Sequence, residues 1–342
     1  MENRVGKRRR QNGERQVLTM KIYALYENPD WLPPLVRELD RAGLPHEERF
    51  IHTGHFDLNT EPPEGVFLNR MSPSSHTRGH IESVDYNREL IAWLEGYGRR
   101  VVNGSRAFAL EISKVRQYAA LRRAGIRTPH TIAVSGYGEE LKTAARKMPL
   151  PFITKHNRGG KGLGVQLFRS LDAFDLYVDS ADFEVPKDHI TLLQEYVEPA
   201  EPFITRVEIV DGEFLYAIKS DTRQGFQLCP AERCETGDVF CPASDAAPTG
   251  ADRQNLFELR EGFDDPIIDQ YISFMRANEI DLAGIEFIED RYGKKITYDV
   301  NAITNYSPGV EEKHSLNGMA AVARFLAREL ERVSEQALTK TY

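Results

Sequence analysis

The chain has 342 residues, of which 41% are hydrophobic and 28% charged, and its formal net charge is −8. That is the composition of an ordinary globular enzyme with material for two or three domains. No run of roughly 18 or more apolar residues occurs and no apolar h-region follows the basic N-terminus, so neither a membrane span nor a signal peptide is expected and a cytoplasmic location is the default.

Residues 1 to 19 carry Arg4, Lys7, Arg8, Arg9, Arg10 and Arg15 against only Glu2 and Glu14. The stretch reads as a disordered basic leader rather than a nucleic-acid arm, with Met20 a candidate natural start and nucleic acid not an expected partner. Residues 20–104 alternate strand-like and helix-like segments: "KIYALY", "WLPPLVRELDRAGL", "GVFLNRMS", "DYNRELIAWLEGYG" and "RRVVNG". Leu35, Leu39 and Leu44, and then Leu90, Ile91 and Leu94, have helical spacing, which predicts a βαβ-like unit with a small parallel sheet. "SRAFALEISKVRQYAALRRAGIRTP" predicts one helix with an apolar stripe of Ile112, Val115 and Ala119, closed by Gly125 and Pro129, with Lys114 inside it.

From Thr131 the pattern turns to strands, helices and hairpins. "PFITKHNRGGKGLGVQLF" places a strand on each side of a glycine-rich turn, "TLLQEYV" is a further strand, and "FITRVEIVDGEFLYAIKS" is a hairpin about Asp211-Gly212. A polar, proline-containing stretch from about 220 to 265 holds all the cysteines, Cys229, Cys234 and Cys241. Their odd number and the lack of a secretion signal argue against a disulfide framework, and their spacing lacks the close pairs of a zinc site, so they read as loop or cleft thiols. The helix "PIIDQYISFMRANEI", the hairpin "GIEFIEDRYGKKITYDVN" and the helix "AAVARFLARELERVSEQ" follow. The predicted class is α/β (α+β), with hairpins too frequent for a doubly wound sheet.

Two features carry chemistry. In "HNRGGKGLGV", Gly159, Gly160, Gly162 and Gly164 let the backbone approach an anion, with Lys155 on the entering strand and Lys114 on the preceding helix as cations for phosphates. Lys161 is followed by Gly162 and a strand, which is neither a Walker A loop nor a Rossmann fingerprint, both of which open a helix. In the late hairpin a two-residue Tyr292-Gly293 loop would pair Arg291 with Lys294 and set Glu286 opposite Asp299, away from the apolar set Ile285, Phe287, Tyr298 and Val300. Like charges opposed on a sheet repel, unless a cation lies between them. With Asn301 on the same face, the donors suit Mg²⁺.

The ordered set Lys114, Lys155, glycine-rich loop, "LLQEYV", "FITRVEIVDGEFLYAIK", "AGIEFIED" and "YDVNA" resembles the ATP-grasp superfamily of carboxylate-amine ligases, over roughly residues 100 to 335. Within it the likeness is to the α-L-glutamate ligase-like (RimK-type) branch. The resemblance implies a pre-ATP-grasp domain at 20–104, a lid subdomain at 105–193 with the glycine-rich flap, and a large subdomain at 194–342 with the metal site. It implies ATP as cofactor with Mg²⁺, or Mn²⁺ in its place. Lys114, Lys155 and the loop Gly159 to Gly164 would hold the phosphates; Gln194, Glu195, Tyr196 and Val197 would hold adenine; Glu286, Asp299 and Asn301 would bind metal. Arg206 would lie near the phosphates or the acyl intermediate.

The chain departs from the branch in places. The ribose-binding acid has only Glu198 and Glu201 as candidates, Lys219 or Arg223 in "KSDTRQGFQLCPAERC" would replace a missing phosphate residue, and "NAITNYSPG" lengthens a turn usually shorter. These departures fall where such enzymes shape the acceptor site, so glutamate specificity is put in doubt. The implied activity joins a small-molecule or peptide carboxylate to an amine through an acyl phosphate, releasing ADP and phosphate. The alternatives are an ATP-binding module without ligase activity and a ligase with an unrelated amine acceptor, and a homo-oligomer is left open. In "NRMSPSSHTRGH", Arg70, Arg78 and His80 follow a strand and could either hold a substrate carboxylate or form a polar turn.

Overall fold

The computed structural model describes residues 20–160, 162, 164–223 and 256–340. The basic leader and Cys229, Cys234 and Cys241 lie outside them. Three sheets form the described fold. In the first, β1 (Lys21–Tyr26), β2 (His46–Phe50), β3 (Gly65–Arg70) and β4 (Arg100–Val102) run parallel in the order β2-β1-β3-β4. β3 is buried along its whole length, as parallel strands covered on both faces are. On one face, Ile22, Ala24, Val66 and Leu68 pack against Val322, Phe325 and Leu326 of the final helix, Gly318–Lys340. On the other, Tyr23, Leu25 and Phe67 meet Leu90, Ile91 and Leu94 of the helix Ser83–Gly96. The first and last stretches of the described chain therefore share one core.

The second sheet is antiparallel, with β5 (Thr131–Ser135), β6 (Phe152–His156), β7 (Gln166–Phe168) and β8 (Ile190–Glu195) in the order β5-β8-β6-β7. Its small core joins Phe152, Phe168 and Leu193 to Leu141 and Phe174 of two short helices. The third sheet, also antiparallel, orders β9 (Phe203–Val210), β10 (Glu213–Asp221), β11 (Phe257–Leu259), β12 (Leu282–Glu289) and β13 (Lys295–Asn301) as β11-β10-β9-β12-β13. Val207, Ile209, Ile285 and Phe287 of this sheet bury Tyr271, Phe274 and Met275 of the helix Ile267–Ala277.

Four sequence expectations are corrected. The single helix expected around Lys114 is two helices, Ser105–Glu111 and Lys114–Arg123. Ser113 caps the second by accepting from the Arg116 N–H, and Asn157, just beyond β6, accepts from both Lys114 N and Val115 N. Lys114 is thereby the first residue of a helix tied to the strand that carries Lys155. The predicted stripe is not the buried face either, since Val115 and Ala119 are exposed whereas Gln117, Tyr118 and Leu121 are buried.

The late hairpin has a three-residue loop in place of the expected Tyr-Gly pair. Asp290 takes the Tyr292 and Lys294 N–H groups on its carboxylate, its own N–H donates to Lys294 O, and Gly293 sits at φ 71°. Near the loop the pairing is therefore one residue off the expected register, with Ile288 opposite Ile296 and Phe287 opposite Thr297. A bulge at Tyr298 absorbs the difference, so that Glu286 lies opposite Asp299 after all. Tyr298 accordingly leaves the apolar face; Thr297 takes its place, fully buried and hydrogen-bonded to Tyr271.

Asn103, at φ 50° after β4, holds the ends of both hairpin strands. Its Nδ2 donates to Leu282 O at 2.9 Å and Ala302 O at 2.6 Å, and its Oδ1 accepts from Asp281 N at 2.8 Å. Asn103→Ala removes these bonds and leaves a β-carbon residue without a compensating side-chain bond at positive φ. It should cost about 2–4 kcal/mol in denaturant unfolding.

Candidate active site

A cavity of about 380 Å³ opens between the second and third sheets, in the size range of small-molecule sites. Lys114, Lys155, Gly159, Gly160, Gly162, Gln194, Glu195, Tyr196, Val197, Arg206, Glu286, Asp299 and Asn301 all line it. Gly164 and Lys219 do not: a β-carbon on Gly164 would lie 2.2 Å from the His156 ring, so this glycine serves packing, and the Lys219 ammonium sits 4.8 Å from the Phe203 ring centre. Neither ribose candidate, Glu198 or Glu201, lines the cavity, whereas Arg223 does and is paired with Asp221.

Strand order sets the charges in a row. Arg206 on β9 is in register with Glu286 on β12, which is in register with Asp299 on β13. Arg206 Nη1 donates to Glu286 Oε1 at 2.8 Å, Nε to Glu208 Oε1 at 2.6 Å, and Nη2 to Thr304 Oγ1 at 3.0 Å. Thr304 in turn donates to Glu208 Oε2 at 2.9 Å, closing a buried ring of bonds. Burial works against the Arg206 cation, but Glu208 and Glu286 outweigh it and hold the guanidinium protonated. Gly284 makes room for this, because a β-carbon there would lie 2.2 Å from the guanidinium. With every side of its fork engaged, Arg206 braces Glu286 from below.

Asp299 is bonded by the Lys114 ammonium. Burial pushes its carboxyl up, but Lys114 and Lys155 together hold it below the usual range. Glu286 goes the other way: burial raises it, Arg206 opposes this, and the charge on Asp299 raises it further. Tyr298 donates its hydroxyl to Glu286 Oε2 at 2.8 Å. Lys155 reaches toward Tyr298 O at 3.5 Å and lies over the Tyr298 ring. Two carboxylates and the Asn301 amide, all oxygen donors on one cavity wall, fit a hard divalent cation such as Mg²⁺. Among the described residues there is no group of three or more acidic, His or Cys side chains that could hold a metal ion.

At the far end of β8 the expected nucleotide strand is itself held by backbone bonds, Glu195 N to His130 O and Tyr196 N to Pro151 O. Gln194 Oε1 lies 2.7 Å from the Tyr118 hydroxyl. The glycine-rich loop crosses to the first domain, where a β-carbon on Gly160 would stand 3.7 Å from Ser74. Arg78 and His80, expected either to hold an anion or to lie in a solvated turn, instead both bond the fully buried Glu27. The Arg78 charge is thereby matched within the fold.

Sequence reasoning missed Glu111, His156, Glu208, Thr304 and the cavity-wall position of Tyr298. Glu208 carried a signal, alternating with Arg206 on one strand, and Glu111 lies three residues before Lys114. Glu111 lines the cavity, 5% exposed, and accepts from Ala302 N at 2.5 Å.

Residues 112–232 match the family model of the RimK-like ATP-grasp domain. No curated protein matches the chain by sequence. Among solved structures, the ATP-grasp ligase PsnB in complex with a precursor peptide and AMPPNP is similar at TM-score 0.59 and 14% identity, covering 92% of this chain and 98% of that one. D-cycloserine synthetase DcsG is similar at TM-score 0.60 and 17% identity, covering 90% and 99%. A RimK domain ATP-grasp protein from Sphaerobacter thermophilus is similar at TM-score 0.58 and 16% identity, covering 90% and 99%. At such identities the structural likeness establishes the fold: the chain has the ATP-grasp fold and carries a RimK-like ATP-grasp domain. The class so defined is that of proteins with the ATP-grasp fold. Among the described residues no helix is long and apolar enough to cross a membrane.

Glu111 yields a pH prediction. Burial pushes its carboxyl up to about 7 from 4.5, against the pull of Lys114 and the Ala302 N–H, with Asp299 adding to the rise. The folded state thus keeps a proton that the unfolded chain releases between these values, so wild-type stability falls as pH rises through that window. Glu111→Gln lacks this loss. Its stability relative to wild type should grow by roughly 3 kcal/mol between pH 4.5 and 8 in denaturant unfolding, and a flat difference would mean Glu111 is ionised throughout.

Proposed function

We propose that this ligase joins a substrate carboxylate to an amine through an acyl phosphate, with Lys114 and Lys155 on the ATP phosphates and Glu286, Asp299 and Asn301 as ligands for Mg²⁺. The observation that carries this reading is convergence: these five side chains come from a helix start and three strands in two sheets, yet all line one cavity beneath the glycine-rich loop. Binding of a nucleotide alone gives no reason for two opposed carboxylates, each braced by its own cation.

The γ-phosphoryl group of ATP passes to a carboxylate oxygen as its bond to the β-phosphate oxygen breaks, leaving ADP. The amine nitrogen then attacks the acyl carbon, the C–O bond to phosphate breaks, and the amine releases one proton to give the amide. Mg²⁺ bound at Glu286 and Asp299 would neutralise charge on the phosphates. Lys114 is poised to exchange its bond to Asp299 for one to a phosphate oxygen, and Lys155 faces the same space from β6. The glycine-rich loop excludes water, to which an acyl phosphate is vulnerable. PsnB has been solved with peptide precursors, and DcsG is a D-cycloserine synthetase; peptide and small-molecule substrates are both in scope here.

ADP release measured across amino acids and peptides tests the reading, which fails if no amine ever stimulates release. Asp299→Asn should lower turnover at least about a hundredfold while circular dichroism stays native. Full activity in that variant would refute the metal assignment.

A further inference from the structure

The cavity has a second wall that the phosphate end does not use. Toward the first sheet it is bounded by Trp31, Ser72, Ser74 and Asn305. Behind Trp31 and Asn305 lies Arg70, the last residue of β3, only 4% exposed. Its Nη2 donates to Asn305 Oδ1 at 2.6 Å and to Trp31 O at 3.2 Å. Both acceptors are neutral, and among the described residues no carboxylate pairs with it. The contrast within the molecule is plain: buried Arg206 has Glu208 and Glu286, and Arg78 has Glu27. A buried guanidinium without a counter-ion is unfavourable, and burial pulls Arg70 down to about 10, with the Tyr306 hydroxyl working the other way.

A second observation points to the same place. Asn305 is followed by Tyr306 at φ 55°, a conformation that bulky residues rarely adopt, and the buried Tyr306 hydroxyl has no hydrogen-bond partner among the described residues. Packing holds the turn: a β-carbon on Gly318 would lie 2.4 Å from the Tyr306 ring. Such strain collects at functional sites. The turn is the one the chain lengthens, and its consecutive residues tie down two buried arginines, Thr304 bonding Arg206 and Asn305 bonding Arg70. Arg70 also ends a parallel strand, where open α/β sheets place their ligands.

Arg70 itself does not line the cavity, whereas Asn305 and Trp31 do. We propose that Asn305, positioned by Arg70 behind it, forms a carboxylate subsite that holds the non-reacting carboxylate of an α-amino acid substrate against the cavity wall at Trp31. The assignment rests on the ligase reading. A carboxylate on Asn305 would place negative charge one side chain away from the uncompensated Arg70 guanidinium, and it would orient the substrate with its reacting group toward Lys114 and Asp299. A carboxamide of the same size offers no charge and should bind poorly.

The test uses the full chain with ATP and Mg²⁺ and the standard L-amino acids, each beside its carboxamide. ADP release gives KM values, and fluorescence of the protein, whose tryptophans are Trp31 and Trp93, gives binding with AMPPNP in place of ATP. A stimulating amino acid should have a KM at least tenfold below that of its carboxamide. Arg70→Gln should raise the amino acid KM tenfold or more, bring the two values within about twofold of each other, and leave the KM for ATP within about twofold.

Asn305→Asp provides a second variant that keeps Arg70 and gives it an internal carboxylate; it should weaken amino acid binding similarly while raising the thermal midpoint. An Arg70→Gln or Asn305→Asp enzyme that retains the carboxylate preference, or a wild type that shows none in either assay, overturns the subsite. Carboxylate-selective fluorescence binding, lost in Arg70→Gln but without ADP release, would sink the ligase reading and leave the subsite standing. Amine-dependent ADP release without carboxylate preference would do the reverse.

Discussion

Two carboxylates opposed on neighbouring strands in a dry cleft cannot both remain ionised unless cations stand beside them, and the arrangement of this fold follows from meeting that requirement. Three adjacent strands put Arg206, Glu286 and Asp299 in one row, and a helix start brings Lys114 to the open end of the row. The two acids are treated unequally. Glu286 is braced from within by an arginine whose remaining donors are taken by Glu208 and Thr304, so its partner is fixed. Asp299 is met by lysines, whose single flexible ammonium groups can move to another anion. A structural cation on one side and an exchangeable one on the other suit the phosphate site proposed above.

The same economy of charge distinguishes the rest of the molecule. Glu27 is buried completely, yet Arg78 and His80 reach it from the turn after β3. Arg100 meets Asp281 and Glu329, linking β4 to the third sheet and the last helix. Against that background Arg70 stands out as a buried cation given only neutral oxygens. The final helix matters here as well, since it packs on the first sheet and places Gly318 against Tyr306, holding the strained turn that carries Asn305. A site that draws on the first sheet, the second sheet and the third is thus held by contacts between residues far apart in the chain.

Much of this could be read from residue order, and the failures have identifiable causes. Strand alternation and glycine turns announced the hairpins, and helical spacing announced most helices. The expected register of Glu286 and Asp299 held for a reason the sequence did not show: an Asp290 turn shifted the pairing by one residue, and a bulge at Tyr298 shifted it back. The break before Lys114 was hidden because its cap partner, Asn157, lies far along the chain. The pairing of Arg78 and His80 with Glu27 was not legible because Glu27 lies 51 residues from Arg78 and nothing local marks it.

What the sequence determined by itself was the local grammar: which segments form strands and helices, where the glycine-rich loop lies, and which side chains carry charge. Those depend on periodicity and backbone preference, which act over a few residues. Only the tertiary structure decided which charges are spent on one another and which remain for a ligand. Lys219 and Gly164 were set aside, Glu111 and Glu208 were drawn in, and Arg70 was left without a counter-ion. Electrostatic partnership is a property of burial and of angstrom-scale distance, and both come into being only when distant strands pack.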